Sequence, residues 1–205
     1  VHYPKIRTTA SDTLTTDDVG TVTDKAVVID VVKYENFLED MEYTVSGVLV
    51  YQEPFTDVNG VEHQEAEVVV DAEGNPISAS VVLAAGEHPV SGKVELRFEV
   101  DSTLLEGTTV VALEDLWHNA VKVTTHSDIT DKPQTVHYPD IYTSAADLTT
   151  GDHVGTIFGR LVNWLRQVFG EDVLEENMAQ VVDTVTLINL VPGRTYTVGG
   201  ILMDK

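Results

Sequence analysis

The sequence predicts an all-β protein made of tandem β-sandwich modules, the second of which is incomplete and carries a helical insert. Three observations support this prediction: many short β-branched segments, turn signals between them, and an internal repeat. β-branched residues favour strands, and many short strands without alternating helices are typical of two packed antiparallel sheets. We therefore expect modules of immunoglobulin-like architecture.

The β-branched segments lie in the first two thirds of the chain. The stretches of strand length are AVVIDVVKY, EYTVSGVLVY, EAEVVV, VELRFEV, TTVVALED and AVKVTTH. Turn-forming residues separate them at Asn59-Gly60, at residues 74–76 and at Gly86. Apolar and charged residues alternate along residues 94–100, as they do in a strand with one buried face.

An internal repeat divides the chain. Residues 1–21 match residues 136–156 at 13 of 21 positions, with a constant offset of 135. Two blocks within residues 28–49 match residues 181–202 at an offset of 153, so the second copy holds 18 additional residues. Such self-similarity indicates two copies of one structural unit.

The repeat predicts a complete module at 1–136 and the N-terminal half of a second module at 137–205. The additional residues are expected to form a helical insert at about 158–180, because apolar residues recur there with helical spacing. These residues are Phe158, Leu161, Val162, Leu165 and Phe169. We expect the insert to pack on the core of the second module, and a helix that binds a partner is the alternative.

The composition limits the possible functions. Asp and Glu outnumber Lys and Arg by 34 to 12, which gives a net charge of −22. Such a surface repels phosphate backbones and anionic lipids, so neither nucleic-acid binding nor membrane-surface binding is expected. The sequence has no cysteine, no apolar run of membrane-spanning length and no signal sequence. If the protein is extracellular, we expect its signal and anchor to lie outside this fragment.

Four motifs of the first module contain residue types that perform acyl transfer. They are Ile6-Arg-Thr8-Thr-Ala10, Asp30-Val-Val-Lys-Tyr-Glu-Asn36, Val110-Val-Ala-Leu-Glu114 and His126-Ser-Asp-Ile-Thr-Asp-Lys-Pro-Gln134. In this order the motifs resemble those of the ester-bond domains of Gram-positive bacterial surface adhesins, of the Val-x-Phe-Glu repeat type. One departure is Leu113, which stands where that family usually has phenylalanine.

The resemblance implies a covalent ester cross-link between Thr8 and Gln134, with His126, Asp30 and Glu114 as catalytic residues. The residue types fit this chemistry, because a threonine hydroxyl needs a base and histidine is the usual base near neutral pH. A carboxamide is a poor electrophile, so its oxyanion needs hydrogen-bond donors and the departing ammonia needs a proton. Two adjacent buried carboxyl groups share a proton. We expect this pair to orient His126 and to polarise the Gln134 carbonyl.

Several alternatives remain open at this point. Thr9 is a competing nucleophile, although it would face the opposite side of its strand. A lysine–asparagine isopeptide would use Lys5, but no asparagine lies near the end of the module. His126 with Asp128 and Asp131 resembles a weak metal site, and residues 57–60 resemble the start of a calcium loop that lacks its later glutamate. We therefore expect no metal and no cofactor.

The second module repeats only part of this set. Thr143, in Ile141-Tyr-Thr143-Ser-Ala145, matches the nucleophile, and Asp183 matches the aspartate of the carboxyl pair. The sequence contains no second copy of the glutamate, histidine and glutamine motifs. Within this chain the second module is therefore not expected to form its own ester.

These inferences predict a structural stalk segment of a cell-wall-anchored adhesin, locked by a self-crosslinking step that releases ammonia. Its expected partners are neighbouring stalk modules of the same chain and, through other domains, a host ligand. Because the nucleophile is consumed, we do not expect an enzyme with turnover. The alternatives are a ligand-binding adhesin module and a hydrolase that uses Thr8 and His126.

Overall fold

The computed structural model describes residues 1–148, 151, 153 and 180–203, and the regular elements among them are almost all strands. In chain order the strands are β1 (Lys5–Arg7), β2 (Ala10–Asp12), β3 (Ala26–Glu35), β4 (Tyr43–Tyr51), β5 (Phe55–Thr56), β6 (Glu62–His63), β7 (Ser78–Leu83), β8 (Gly92–Val100), β9 (Thr109–His118), β10 (Val121–His126), β11 (Thr135–His137), β12 (Asp140–Asp147) and β13 (Val181–Ile188). Two short 3-10 helices span Ser102–Leu104 and Lys132–Gln134. No helix among the described residues is long and apolar enough to cross a membrane.

The predicted helical insert at about 158–180 lies outside the described residues, apart from Gln180, which belongs to neither a helix nor a strand. The chain divides into two compact units. One unit comprises Val1–Asp140 together with Ile188–Lys205, and the other comprises Ile141–Leu187. The first unit contains both large sheets of the protein.

The first sheet has β3 at its centre. β8 pairs antiparallel along one edge of β3, while β1 and β2 follow one another along the other edge. Between β1 and β2, Thr9 exchanges two backbone hydrogen bonds with Val31, of 3.2 and 2.9 Å. Residues 5–12 therefore act as one edge strand that carries Thr8 near its middle.

The second sheet has the strand order β10-β9-β4-β7, and β11 also pairs with β9. His126, at the end of β10, lies opposite Glu114, and Thr135, at the start of β11, lies opposite Val111. The chain thus leaves the edge of β9 after His126 and returns to the same edge at Thr135. The intervening loop ends in the 3-10 helix that carries Gln134.

The two sheets enclose one hydrophobic core. Alternate residues of β3 are buried over most of its length, as expected for a strand with one face in the interior. The core includes Val28, Val32, Leu96 and Phe98 from the first sheet and Val45, Leu49 and Leu116 from the second. The predicted all-β architecture of sandwich type is confirmed for this unit.

One predicted strand, at residues 65–70, does not form as a regular strand. Ala66 has a positive φ of 60°, and the N–H of Glu67 closes a turn at this point. Val68 and Val70 make only isolated bridges. The turn therefore prevents residues 65–70 from forming the continuous strand that their β-branched composition predicted.

The second unit contains a two-stranded sheet formed by β12 and β13. All eight residues of β13 are exposed, and β12 exposes most of its side chains. A two-stranded sheet with one strand fully exposed buries little apolar surface, so it adds little stability of its own.

Candidate cross-link site

The predicted nucleophile Thr8 lies on the edge strand of the first sheet with its side chain buried. Its exposed fraction is 6%, whereas the neighbouring Thr9 is exposed. The Thr9 hydroxyl donates to the backbone carbonyl of Thr8 (2.9 Å). The Thr8 hydroxyl has no hydrogen-bond partner among the described residues. The alternation of the strand therefore presents Thr8, and not Thr9, to the interior.

The predicted electrophile Gln134 ends the short 3-10 helix and is completely buried. Its Oε1 lies 2.6 Å from Nδ1 of His126. Its Nε2 donates a hydrogen bond to Oε2 of Glu114. Since the oxygen and the nitrogen of the carboxamide each have a partner, the group is held in one orientation.

Asp30 and Glu114 form a buried carboxyl pair. Asp30 comes from the centre of β3 and is 0% exposed, and Glu114 comes from β9 and is 1% exposed. Burial, and then the neighbouring charge of Asp30, raises the pKa of Glu114 to about 10. Burial also raises the pKa of Asp30. Because two adjacent carboxyl groups out of water resist ionising together, the pair holds a proton at neutral pH.

The two carboxyl groups are coupled by proximity. Among the described residues, no N–H or hydroxyl group donates a hydrogen bond to either oxygen of Asp30 or to Oε1 of Glu114. The Thr8 hydroxyl lies near Glu114, although it makes no hydrogen bond of good geometry among the described residues. A proton held by the pair therefore lies between the two carboxyl groups, close to the threonine.

His126 occupies the end of β10, directly across the ladder from Glu114. A quarter of its side chain is exposed (25%). Its Nδ1 faces an acceptor, Oε1 of Gln134, so Nδ1 carries a proton in this contact. Its Nε2 lies 3.4 Å from a carboxylate oxygen of Asp131. The ring therefore lies between the Gln134 carbonyl, which it polarises, and the Asp131 carboxylate.

Asp131 is the site residue that the sequence reasoning missed. The sequence raised it only as part of a weak metal site, whereas in the structure it faces the histidine ring. The sequence feature that could have indicated Asp131 is its position, five residues after His126 and directly before the 3-10 helix that ends at Gln134. Asp128 instead accepts hydrogen bonds from the N–H and hydroxyl of Thr130. The part of the chain that the structure describes holds no cluster of three potential metal ligands.

The contacts within the site differ from expectation in one respect. We expected the carboxyl pair to orient His126 and to polarise the Gln134 carbonyl. Instead His126 contacts the carbonyl oxygen, Asp131 contacts the histidine, and Glu114 contacts the amide nitrogen. The pairing of β9 with β10 explains this difference. It places Glu114 and His126 side by side as cross-strand partners, so they reach opposite ends of the same carboxamide.

The second module contributes two of the predicted site residues. Thr143 lies on β12 and Asp183 lies on β13, and these strands pair with each other. Both side chains are exposed. The buried environment that perturbs the carboxyl pair of the first module is therefore not reproduced around Asp183.

The carboxyl pair predicts a pH dependence of stability in protein that cannot form the cross-link. In a Thr8→Val variant the folded state keeps the Glu114 proton up to about pH 10, whereas the unfolded state releases it above its ordinary pKa of 4.5. The free energy of unfolding should therefore fall as the pH rises between these values. The fall should be smaller in the Thr8→Val, Glu114→Gln double variant. Urea unfolding at a series of pH values measures both slopes, and equal slopes would contradict the raised pKa of Glu114.

Both copies of the repeat match one protein family. The model of the T-Q ester bond containing domain matches residues 4–138 and again residues 139–205. No curated protein matches the sequence. The family match thus spans nearly the whole chain and includes every predicted site residue.

Among solved structures, the chain is similar to a bacterial adhesin from Mobiluncus mulieris containing intramolecular disulfide, isopeptide and ester bond cross-links. That adhesin is seen in space groups P1 and P21, and in both the identity is 14%, the TM-score is 0.48, and 90% of this chain and 80% of the adhesin are covered. A DUF4466 family protein from Parabacteroides merdae shows 6% identity and a TM-score of 0.33, over 69% of this chain and 48% of that protein. The family match rests on the sequence and covers both copies of the repeat. The chain belongs to the family of T-Q ester bond containing domains.

Proposed function

We propose that Thr8 and Gln134 join in an autocatalytic ester bond with release of ammonia, and that the locked module is a stalk segment of a bacterial cell-surface adhesin. The observation that carries the proposal is the buried carboxamide of Gln134, held between His126 and Glu114. The buried Thr8 hydroxyl lies near the same glutamate and has no hydrogen-bond partner among the described residues. A buried hydroxyl without a hydrogen bond is costly, so its presence here calls for a chemical role.

The bond forms by acyl transfer from nitrogen to oxygen. Oγ1 of Thr8 attacks Cδ of Gln134, and the negative charge that develops on Oε1 is stabilised by the N–H of His126. The proton of the threonine passes to the carboxyl pair, and the pair donates a proton to Nε2 through Glu114. The Cδ–Nε2 bond breaks and ammonia leaves. The pair holds one proton before and after the reaction, and the products are an ester and ammonia.

Glu114 is the natural proton relay in this scheme. It neighbours the nucleophile and hydrogen-bonds the leaving nitrogen, and its raised pKa lets it hold a proton near neutral pH. His126 was expected to act as the base for Thr8. The contacts of its two ring nitrogens with Gln134 and Asp131 favour a polarising role instead. The nucleophile is consumed, so each molecule reacts once.

A Thr8–Gln134 ester suits a load-bearing module. Thr8 lies on the first strand of the sandwich, and Gln134 directly precedes β11, the last strand of the first module. Tension applied at the two ends would therefore load the covalent bond before the hydrogen bonds between strands. The chain has no cysteine, so no disulfide can perform this task. The acidic surface keeps such a module soluble outside the cell, on a cell-wall-anchored protein.

Single-molecule force spectroscopy tests the stalk role. We expect the wild-type first module to show no unfolding step that releases the chain between Thr8 and Gln134, because the ester bypasses it. A Gln134→Ala variant should unfold and release on the order of 400 Å of additional chain. A wild-type protein that releases this length at the same force as the variant would contradict the proposal.

A further inference from the structure

The same four residues, Val-His-Tyr-Pro, stand at positions 1–4 and 136–139, but they have different surroundings. Val136 is 1% exposed and Tyr138 is 0% exposed. Val1 is fully exposed, and Tyr3 is 73% exposed. Identical side chains are thus core residues at one end of the first module and solvent-exposed residues at the other.

Residues 136–138 are buried because they bind a site formed by Asp18, Gly20 and Thr108, which we call the socket. The N–H of His137 donates to the carbonyl of Asp18 (2.8 Å), and the N–H of Tyr138 donates to the carbonyl of Thr108 (2.9 Å). The carbonyl of His137 accepts from the N–H of Gly20 (2.7 Å). A Cβ atom on Gly20 would lie 2.5 Å from the Tyr138 ring, so the socket requires glycine at this position. The segment is therefore a closing strand whose sequence the socket fits.

An asparagine clamps each copy of this segment in the same way. Asn36 and Asn189 occupy matching repeat positions, and both have positive φ, 64° and 56°. The Asn36 amide donates to the carbonyl of Tyr3 (3.0 Å), and the Asn189 amide donates to the carbonyl of Tyr138 (3.1 Å). Their Oδ1 atoms lie 3.3 Å and 3.4 Å from Nδ1 of the preceding histidine, His2 or His137.

Asn189 makes two further contacts that Asn36 does not make. Its amide also donates to the carbonyl of Thr108, and its Oδ1 accepts from the hydroxyl of Thr109 (3.1 Å). Both threonines belong to the module that precedes the second copy. Asn189 therefore connects the closing strand of the first module to Thr108 and Thr109 of the same module. Asn36 is exposed and makes no contact of this kind among the described residues.

We propose that Val1–Tyr3, together with Asn36, form a docking surface for the C-terminal end of another T-Q module. Val1–Tyr3 would serve as the closing strand of that module, with Tyr3 in a socket like that beside Gly20. The Asn36 amide would bind the backbone carbonyl and threonine hydroxyl that match Thr108 and Thr109. This inference rests on the proposed stalk role, in which T-Q modules follow one another along a chain, and does not depend on the ester.

A charged contact near Asn189 has no matching residue near Asn36, which limits what the partner needs. Arg194 pairs with Asp17 and Asp18, at 3.3 Å from a carboxylate oxygen of Asp17. The matching position near Asn36 holds Met41, which carries no charge. The docking surface at Val1–Tyr3 therefore requires the glycine socket and the two threonines of a partner, and no acidic pair.

An N-terminally extended chain tests the proposal. A copy of residues 1–135 is placed directly before Val1 of the full chain, so that the added copy can obtain its closing strand only from Val1–Tyr3. We expect hydrogen exchange at the His2 and Tyr3 amides to slow by at least about 100-fold relative to the unextended chain. Unchanged exchange at both amides, or an added copy that remains unfolded, would overturn the proposal.

A double-mutant cycle tests the clamp itself. Asn36→Ala in the full chain is combined with Thr109→Val in the added copy, and the matched control combines Asn189→Ala with Thr109→Val in the unextended chain. Each pair should show a similar coupling, about 3- to 10-fold in the opening equilibrium. Coupling in the control pair alone would overturn the role of Asn36. The intact mass of the same samples reports the ester separately, so failure of the cross-link and failure of docking are distinguishable.

Discussion

A Thr8→Val variant is expected to be about 4–5 kcal/mol less stable to unfolding than the wild-type protein, because it cannot close the loop between residues 8 and 134. With Thr8 and Gln134 joined as proposed, the unfolded wild-type chain keeps this loop closed and therefore has less conformational entropy to lose on folding. Valine matches threonine in shape and removes a buried hydroxyl that has no partner among the described residues. The substitution alone should therefore cost little, and the loss measures the cross-link. Guanidinium unfolding, followed by circular dichroism, gives both free energies.

The matched control for this prediction is Thr9→Val. Thr9 is exposed and differs from Thr8 by one position on the same edge strand. We expect it to change the free energy of unfolding by less than about 0.5 kcal/mol, as exposed substitutions usually do. If Thr8→Val were as stable as Thr9→Val, the module would not owe its stability to a covalent bond at Thr8.

Replacing His126 by alanine is expected to slow ester formation by about 10²- to 10⁴-fold, the usual contribution of a positioned acid–base or polarising group. The variant loses the donor at Oε1 of Gln134 but keeps Glu114 at the amide nitrogen. The protein should therefore fold and be purified with its carboxamide intact. Asp131→Asn should give an intermediate rate, because the ring remains but loses its charged partner.

His118→Ala is the matched control for the histidine. His118 lies on β9, next to the strand of His126, and its ring contacts the backbone carbonyl of Glu42 (2.7 Å) outside the site. This variant should cross-link at the wild-type rate. The time course of the intact mass after purification reports both variants, and complete cross-linking of the His126→Ala protein would exclude a role for that histidine.

The fold was largely readable from the sequence because the strands are β-branched and alternate in burial. β4 lies within a predicted segment, and β3, β8 and β9 overlap predicted segments and extend a few residues beyond them. β7 was not among them, since Ser78–Leu83 starts with small polar residues and gains its place by pairing with β4. Residues 65–70 show the opposite error, since a strand was predicted there and none forms. A turn at Ala66 outweighs the β propensity of this stretch.

The members of the site were predictable from motif order, but their contacts were not. Sequence spacing gives the strand face of Thr8 and Asp30, and the structure buries both side chains. The cross-strand register of Glu114 and His126 depends on where β10 pairs with β9, and that register decides which end of the carboxamide each side chain reaches. Asp131 was missed for a related reason, since the loop after His126 brings it back to the ring.

The intact mass of the purified, folded protein tests the central claim most directly. A Thr8–Gln134 ester predicts a mass about 17 Da below that of the sequence, one ammonia lost, and a proteolytic digest in which the peptides containing Thr8 and Gln134 remain joined. Thr8→Val and Gln134→Ala proteins should each have their full sequence mass. A folded wild-type protein with the full sequence mass, and with the two peptides separate, would contradict the account.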